Sequence, residues 1–145
     1  MLRRLTELLG GWREAAPAAP PLELAAIALL LEIGRADHEM ADSERRSVLA
    51  AAARVFGLDE TASAALLAKA MQRVEASISL DEFTNVINQE WSVADKRACL
   101  VAMWQVALAD GRLDRFEEFY LRKICDLLHL SHQDFIQAKL KAGSA

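Results

Sequence analysis

A chain of 145 residues, 53% of them hydrophobic, is long enough to form one domain with its own packed core. The low Gly and Pro counts, six and three, favour helices, and the net charge of −4 argues against general nucleic-acid binding, which needs a dense basic surface. The basic pairs Arg3-Arg4, Arg45-Arg46 and Lys96-Arg97 are short and separated, and they are interpreted as solvated helix faces.

The first segment, residues 2–14, is predicted to be a short amphipathic helix. Its apolar side chains recur at three- and four-residue steps, at Leu2, Leu5, Leu8, Leu9 and Trp12. Pro and Ala residues then predict a linker over 15–21. Residues 1–21 are therefore assigned as an N-terminal helix and linker, which could dock on the following domain, on a partner or on a membrane surface.

A membrane-spanning segment is not predicted, because the most apolar run, Leu24–Leu31, is much shorter than a span requires. The N-terminus lacks the continuous apolar core of a secretory signal peptide. A cytoplasmic protein is therefore expected, with peripheral membrane association as a further option.

Residues 22–145 are predicted to form an all-α domain. Helix starts are predicted from capping residues at Asp59, Ser79, Ser92 and Ser131, and Gly57 is predicted to end a helix. With the capping residues included, the predicted helices cover 22–36, 42–56, 59–76, 79–91, 92–109, 114–129 and 131–142.

The domain contains an internal repeat. The segment ADHEMADSERRSVL at 36–49 aligns with ADGRLDRFEEFYLR at 109–122, which pairs Asp37 with Asp110 and Glu44 with Glu117. The match continues upstream, and downstream FGLDE (56–60) aligns with LHLSH (128–132) after a one-residue gap. This pattern predicts a duplicated three-helix unit with pseudo-twofold packing, in which residues 77–94 are extra in the first unit.

Each unit joins two helices through an acidic segment. We name ADHEMADSE, residues 36–44, the first elbow and ADGRLDRFEE, residues 109–118, the second elbow. Asp114 and Glu117 have the spacing of a capping box, and Asp42 suits an N-cap, so helix capping explains part of the acidity. His38 aligns with Gly111 and is interpreted as a turn residue rather than a ligand.

Capping explains Asp37 and Asp110 less well, because both follow a helix whose C-terminal end disfavours negative charge. The Asp and Glu of one elbow are expected to turn toward the same point, and if the pseudo-twofold brings both elbows together, four carboxylates converge. A hard cation such as Ca²⁺ or Mg²⁺ would relieve their repulsion. The acid spacing does not fit an EF-hand loop, and zinc is disfavoured because no Cys/His cluster occurs. Capping and cation binding both remain open at this point.

Catalysis is not predicted. No Gly-rich phosphate loop, zinc-protease motif or nucleophile accompanies the carboxylates. Cys99 and Cys125 lie in apolar helical stretches without metal or redox spacing, and they are expected to be buried free thiols.

The second elbow resembles the tellurite-resistance TerB family, in which ADG closes a buried helix and an acidic residue follows seven positions after the Asp. The first elbow is a weaker copy, with His38 where the family usually has Gly. The resemblance covers residues 22–142 and implies a compact bundle of about seven helices. It also implies a divalent-cation centre, membrane-linked stress-response complexes and no established enzymatic activity. The residues that carry over as cation ligands are Asp37, Glu44, Asp110 and Glu117.

Two functions are therefore expected as alternatives. The first is a non-enzymatic TerB-like module that binds a divalent cation through its elbows in a tellurite-resistance-type stress response. The second is a metal-free helical domain that docks a protein partner or a membrane face. The sequence does not fix the oligomeric state.

Overall fold

The computed structural model describes residues 21–37, 42–76, 80–109 and 115–144. Within these ranges the chain forms helices and no strand, so the all-α prediction is confirmed. The predicted helix at 2–14 and its linker up to residue 20 lie outside the described residues. The seven helices of the described ranges are α1 (Leu22–Asp37), α2 (Asp42–Phe56), α3 (Glu60–Ala76), α4 (Leu80–Glu90), α5 (Val93–Leu108), α6 (Arg115–Leu127) and α7 (His132–Ser144).

Helix α1 lies at the centre of the bundle. Its five consecutive residues 25–29 are all 0% exposed, which requires packing on every face of the helix. Helices α2, α3, α4 and α5 all contact it. Three of the five residues, Ala25, Ala26 and Ala28, are small, so neighbouring helices can approach the α1 backbone closely.

Helix α5 is the second central element and packs against α1, α2, α6 and α7. Its side chains at Cys99, Leu100, Met103 and Trp104 are all 0% exposed. The Trp104 ring meets the Phe135 ring of α7 edge to face, with 5.2 Å between the ring centroids. The core therefore lies around the contact between α1 and α5 and extends to α7.

Side-chain contacts establish the directions of three helices. Near the start of α5 and of α7, Arg97 Nε donates to Asp134 Oδ1 at 2.8 Å. Near the end of α2 and of α5, Arg54 Nη2 donates to the Ala109 carbonyl at 3.4 Å. Helices α2, α5 and α7 therefore run in the same direction, and their C-terminal ends lie at the same end of the bundle.

Helix α4 lies in the segment 77–94 that has no counterpart in the second predicted unit. It contacts α1 and α6, and its Ile87 is fully buried. The Asn88 side-chain amide donates to the Leu127 carbonyl at 2.8 Å. This bond satisfies one of the carbonyl groups that the end of α6 leaves without a helical partner.

The turn after α2 is a Schellman motif. Gly57 has φ = 66°, and its N–H donates to the Arg54 carbonyl at 3.3 Å. The next N–H, of Leu58, donates to the Ala53 carbonyl at 2.8 Å. These two bonds are the pair that defines the motif, and they confirm that Gly57 ends the helix.

The turn after α6 has the same two bonds, but a non-Gly residue occupies the left-handed position. His129 has φ = 60°, and its N–H donates to Asp126 while Leu130 N–H donates to Cys125, both at 3.0 Å. This turn ends α6 at Leu127, two residues before the predicted end. Gly57 and His129 are partners in the repeat alignment, so the two turns match in geometry; the duplicated unit itself stays a prediction.

Opposite substitutions at these two turns are expected to have opposite effects on stability. Gly57→Ala should lower the free energy of unfolding by about 1 kcal/mol, because a Cβ at positive φ is strained. His129→Gly should raise it by about 0.5 kcal/mol, because relief of strain outweighs the added backbone entropy of the unfolded chain. Urea unfolding of both variants measures this, and changes of the same sign would contradict it.

Two predicted N-caps are confirmed directly. Asp59 Oδ1 accepts from the Ala62 N–H at 2.7 Å, and Ser92 Oγ accepts from the Asp95 N–H at 3.1 Å. Each bond satisfies a donor that the first helical turn leaves free. The predicted cap at Ser79 lies outside the described residues.

The cap of α7 is reciprocal. Ser131 Oγ accepts from the Asp134 N–H at 3.1 Å, and Asp134 Oδ2 accepts from the Ser131 N–H at 3.0 Å. The backbone hydrogen bond from Ser131, aided by its hydroxyl and by the Arg97 charge, lowers the pKa of the Asp134 carboxyl. The predicted capping role of residues 131–134 is therefore confirmed.

The interpretation of Lys96-Arg97 as a solvated pair is wrong for its first member. The Arg97 side chain is 57% exposed, whereas Lys96 as a whole is only 7% exposed. The long aliphatic stem of a lysine can lie along apolar surface and bring its ammonium group to the boundary. The sequence pattern did not distinguish this arrangement from a fully solvated side chain.

Candidate cation site and the adjoining cleft

The four predicted cation ligands lie in or beside the two connections between helices that form the elbows. Asp37 is the last residue of α1 and Glu44 lies in the first turn of α2, but their side chains are outside what the structure describes. Asp110 lies outside the described residues altogether. Glu117 is half-buried in the first turn of α6. Convergence of the four carboxylates therefore stays a prediction, as do the roles of His38, Gly111 and Asp114, which are also not described.

The second elbow begins at a helix end that attracts cations. Ala109 is the C-cap of α5, and its N–H donates to the Val106 carbonyl at 3.3 Å. The Ala109 carbonyl itself accepts from the Arg54 guanidinium. Carbonyls at a helix C-terminus lack helical partners and carry partial negative charge, which is why a guanidinium is stabilised there. Asp110 follows in the sequence and adds a full negative charge to this segment.

Two adjacent acids, Glu117 and Glu118, lie in the first turn of α6. The Glu118 carboxylate lies 4.0 Å from Arg122 Nη2 and 3.7 Å from Lys139 Nζ, so it joins α6 to α7. Exposed ion pairs of this kind contribute little to stability, but they do engage the carboxylate. Glu118 is therefore engaged by two cationic side chains, and Glu117 is the predicted ligand because the repeat alignment pairs it with Glu44.

The distance along helix α2 indicates whether one ion could contact both elbows. The end of α5 contacts α2 at Arg54, near the end of α2. Glu44 lies ten residues earlier on α2, which corresponds to about 15 Å along the helix axis. This separation favours a separate pair of carboxylates at each elbow over a single centre of four.

A surface cleft lies where α2, α5 and α7 end. It is a wide, open depression with a volume of about 550 Å³. Among the described residues of its lining, Gln105 has a polar side chain and the others are small or apolar. We call this the end cleft, and its lining residues are Val55, Gln105, Leu108, Ala109, Ala142 and Gly143.

The donor chemistry at the second elbow fits a hard divalent cation. Such ions take carboxylate, carbonyl and water oxygens, and the segment offers its two predicted carboxylate ligands beside the C-terminal carbonyls of α5. Among the described residues, no group of three or more His, Cys, Asp and Glu side chains is placed to hold a metal ion. The side chains of three of the four predicted ligands are not among the described ones. The proposed centre therefore rests on chain position and donor type.

The two cysteines have no part in this chemistry. Both are free and buried, as predicted. Burial raises the pKa of the Cys99 thiol to about 12. Burial, together with the charges of Asp126 and Asp134, raises the pKa of Cys125 to about 11, and its Sγ donates to the Ser131 carbonyl at 3.5 Å. Neither thiol is a nucleophile near neutral pH, because the thiolate is the reactive form.

Thiol labelling at pH 8 is therefore expected to be slow in the native protein. Both cysteines should react only when the protein opens, so labelling should accelerate by orders of magnitude in denaturing urea. The measurement is the rate of reaction with a chromogenic disulfide reagent, with a free cysteine peptide as the reference. Labelling of either thiol in the native protein at the rate of the peptide would contradict the buried positions.

Two features of this region were not predicted from the sequence. The end cleft combines residues from three helices that are far apart in the chain, and no local motif marks it. Glu32, which directly follows the apolar run Leu24–Leu31, is only 1% exposed on α1. An acid directly after eight apolar or small residues was the available signal, because a buried carboxylate must be compensated by its surroundings.

The fold and its acidic connections define a small all-helical domain with two charged helix junctions. The chain matches the family described as Tellurite resistance protein TerB over residues 23–140, and it therefore belongs to the TerB family. This confirms the resemblance drawn from the second elbow. Comparisons with curated proteins and with solved structures gave no match. In the part of the chain that is described, no helix is both long and apolar enough to cross a membrane.

Proposed function

We propose that this TerB-family protein is a non-enzymatic module that binds Ca²⁺ or Mg²⁺ at its acidic elbows and acts in a tellurite-resistance-type stress response. Its ligands are Asp37 and Glu44 at the first elbow, and Asp110 and Glu117 at the second. The observation that carries the proposal is the end of α5, where the Ala109 carbonyl accepts from a guanidinium directly before an aspartate in the sequence.

The electrostatics of that helix end support a bound cation. The C-terminal ends of α2, α5 and α7 meet there, and each carries a partial negative charge. An Asp at this point is unfavourable unless a positive charge is near. Arg54 supplies part of that charge, and a divalent ion coordinated by Asp110 and Glu117 would supply the rest.

The proposal assigns one ion to each elbow. The 15 Å or so of α2 between Glu44 and Arg54 supports this division. The second elbow is expected to bind more tightly, because it has Gly111 where the first has His38. A glycine allows the backbone of the turn to approach an ion without a side chain in the way.

Thermal unfolding in the presence of ions tests this proposal. Addition of millimolar Ca²⁺ or Mg²⁺ to chelator-treated protein should raise the unfolding midpoint, because an ion that binds only the native state stabilises it by mass action. Asp110→Asn and Glu117→Gln should remove most of the rise, and Asp37→Asn with Glu44→Gln a smaller part. The control is Asp126→Asn, which neutralises an exposed acid on α6 and should keep the full rise.

The variants at the two elbows distinguish one shared cation centre from two separate ones. If Asp37→Asn alone removed the whole rise, a single shared centre would replace the two separate ones. If no ion raised the midpoint of the unsubstituted protein, the cation function would be wrong, and the acids would act only as helix caps.

A metal-free interaction domain is the second candidate, and exposed apolar side chains favour it. Phe119 is 61% exposed and Leu140 60%, while Val93 and Ile136 are 51% and 38% exposed. Contiguous apolar side chains at the surface are typical of docking faces, and Ile136 and Leu140, four residues apart on α7, lie on the same face of that helix. In this alternative function, the helical surface binds a protein partner or a membrane face in the cytoplasm.

Vesicle sedimentation distinguishes this candidate from the first. Phe119→Ser with Leu140→Ser should reduce recovery with anionic vesicles while the thermal midpoint and its response to ions stay unchanged. Deletion of residues 1–14 should weaken recovery if the N-terminal segment also contributes. Equal recovery of all variants would exclude a membrane-docking role for these side chains.

A further inference from the structure

We propose that the end cleft binds the N-terminal segment of the same chain, residues 2–14, and that this segment covers the helix end at Ala109. The inference does not depend on cation binding. It rests on the position of the cleft, the reach of the linker, and the apolar and charged patterns of the segment.

Chain direction places the start of α1 near the cleft. Only four residues join α1 to α2, and the two helices pack against each other. A short connection between packed helices makes them antiparallel neighbours. The start of α1 therefore lies toward the end of α2, where Val55 lines the cleft.

The linker is long enough to span the remaining distance. Residues 15–21 can extend over at most about 25 Å, and α2 itself is only about 22 Å long. A helix over 2–14 can therefore reach the end cleft without displacing α1. The same linker does not easily reach the opposite end of the bundle, where Val93 is exposed.

The apolar pattern of the segment matches the lining of the cleft. Three of the wall residues, Val55, Leu108 and Ala109, are only partly buried in the described structure. Gly143 adds no side chain, and a Cβ built there would meet no atom within 4 Å. This leaves room for large side chains from a neighbouring helix. The segment offers Leu2, Leu5, Leu8, Leu9 and Trp12 on one face.

Charge also favours this occupant. The segment contains three arginines and two glutamates, in a chain whose net charge is −4. The C-terminal ends of α2, α5 and α7 give the cleft a negative potential, and Arg54 already donates to a carbonyl at its edge. The formal charge of the segment is 3 − 2 = +1, and its basic residues, Arg3, Arg4 and Arg13, suit this surface.

Trp12 fluorescence in the full chain tests the docking. The difference spectrum between the wild type and Trp12→Phe isolates the emission of Trp12 from that of Trp91 and Trp104. We expect the emission of Trp12 to be blue-shifted and protected from quenching by acrylamide. Gly143→Phe, at a position where an added Cβ meets no atom within 4 Å, should fill the cleft and return Trp12 to solvent-like emission with stronger quenching by acrylamide.

The matched control is Gln137→Phe, which adds the same ring at an exposed position of α7 and should leave Trp12 protected. Leu5→Asp with Leu9→Asp should also expose Trp12, and hydrogen exchange at 105–109 and 140–144 should then become faster. Solvent-like Trp12 in the wild type, or no response to Gly143→Phe, would overturn the proposal. Trp12 protection that is lost on dilution together with a dimer would assign the cleft to a second copy instead. Neither result depends on the response of the thermal midpoint to ions.

Discussion

Replacement of Trp104 by Ala is expected to lower the free energy of unfolding by about 3–5 kcal/mol, the usual cost of removing a buried aromatic side chain. Trp104 is 0% exposed at the contact between α5 and α7. Its ring contacts Phe135 edge to face, and Lys139 Nζ lies 5.4 Å from the ring centroid. The substitution would remove both contacts and leave a large cavity that the surrounding helices can close only in part.

Urea unfolding followed by far-UV circular dichroism measures this loss. Trp104→Phe should cost less than the Ala variant, because the indole N–H has no hydrogen-bond partner among the described residues. Phe119→Ala is the control, since this ring is 61% exposed and its removal should change stability by less than about 1 kcal/mol. Equal losses at Trp104 and Phe119 would show that α5 does not pack as described.

The second large effect is expected from adding atoms to the core. Ala26→Leu should lower the free energy of unfolding by about 1–3 kcal/mol, although Leu is the more hydrophobic residue and a good helix former. Ala26 is 0% exposed on α1, and its flanking residues Ala25 and Ile27 are also 0% exposed. No space remains for the added carbons unless a neighbouring helix moves.

The matched control is the same substitution at Ala50, which is exposed on α2. Ala50→Leu should change stability by less than about 0.5 kcal/mol, because a surface position has room for the side chain. A stabilising effect of Ala26→Leu would mean that α1 is packed loosely and does not lie at the centre of the bundle.

Much of the helical fold could be predicted because its signals are local. Caps at Asp59, Ser92 and Ser131 hydrogen-bond to residues three positions later, so a short stretch of sequence contains both partners. The end of α6 was misplaced by two residues because the left-handed turn there uses His129 instead of Gly. A non-Gly residue at positive φ is uncommon, and the sequence gives little warning of it.

The candidate site was predictable only in its residue types. Carboxylates after one helix and at the start of the next can be recognised from the sequence, and Glu117 does lie in a first turn. The distance between elbows depends on how α2 and α5 are oriented, which the contact of Arg54 with Ala109 reveals. The end cleft and the burial of Lys96 likewise result from tertiary packing, which no short pattern encodes.

The central position of α1 has a consequence for synthesis. Its covering helix α5 begins at Val93, more than fifty residues after Asp37, the last residue of α1. A nascent chain that has emerged only as far as α4 would leave the α5-facing side of α1 in contact with water, and it could not complete the core. The protein is therefore expected to fold only after α5 has left the ribosome, and premature termination before that point would yield a chain that chaperones or proteases must remove.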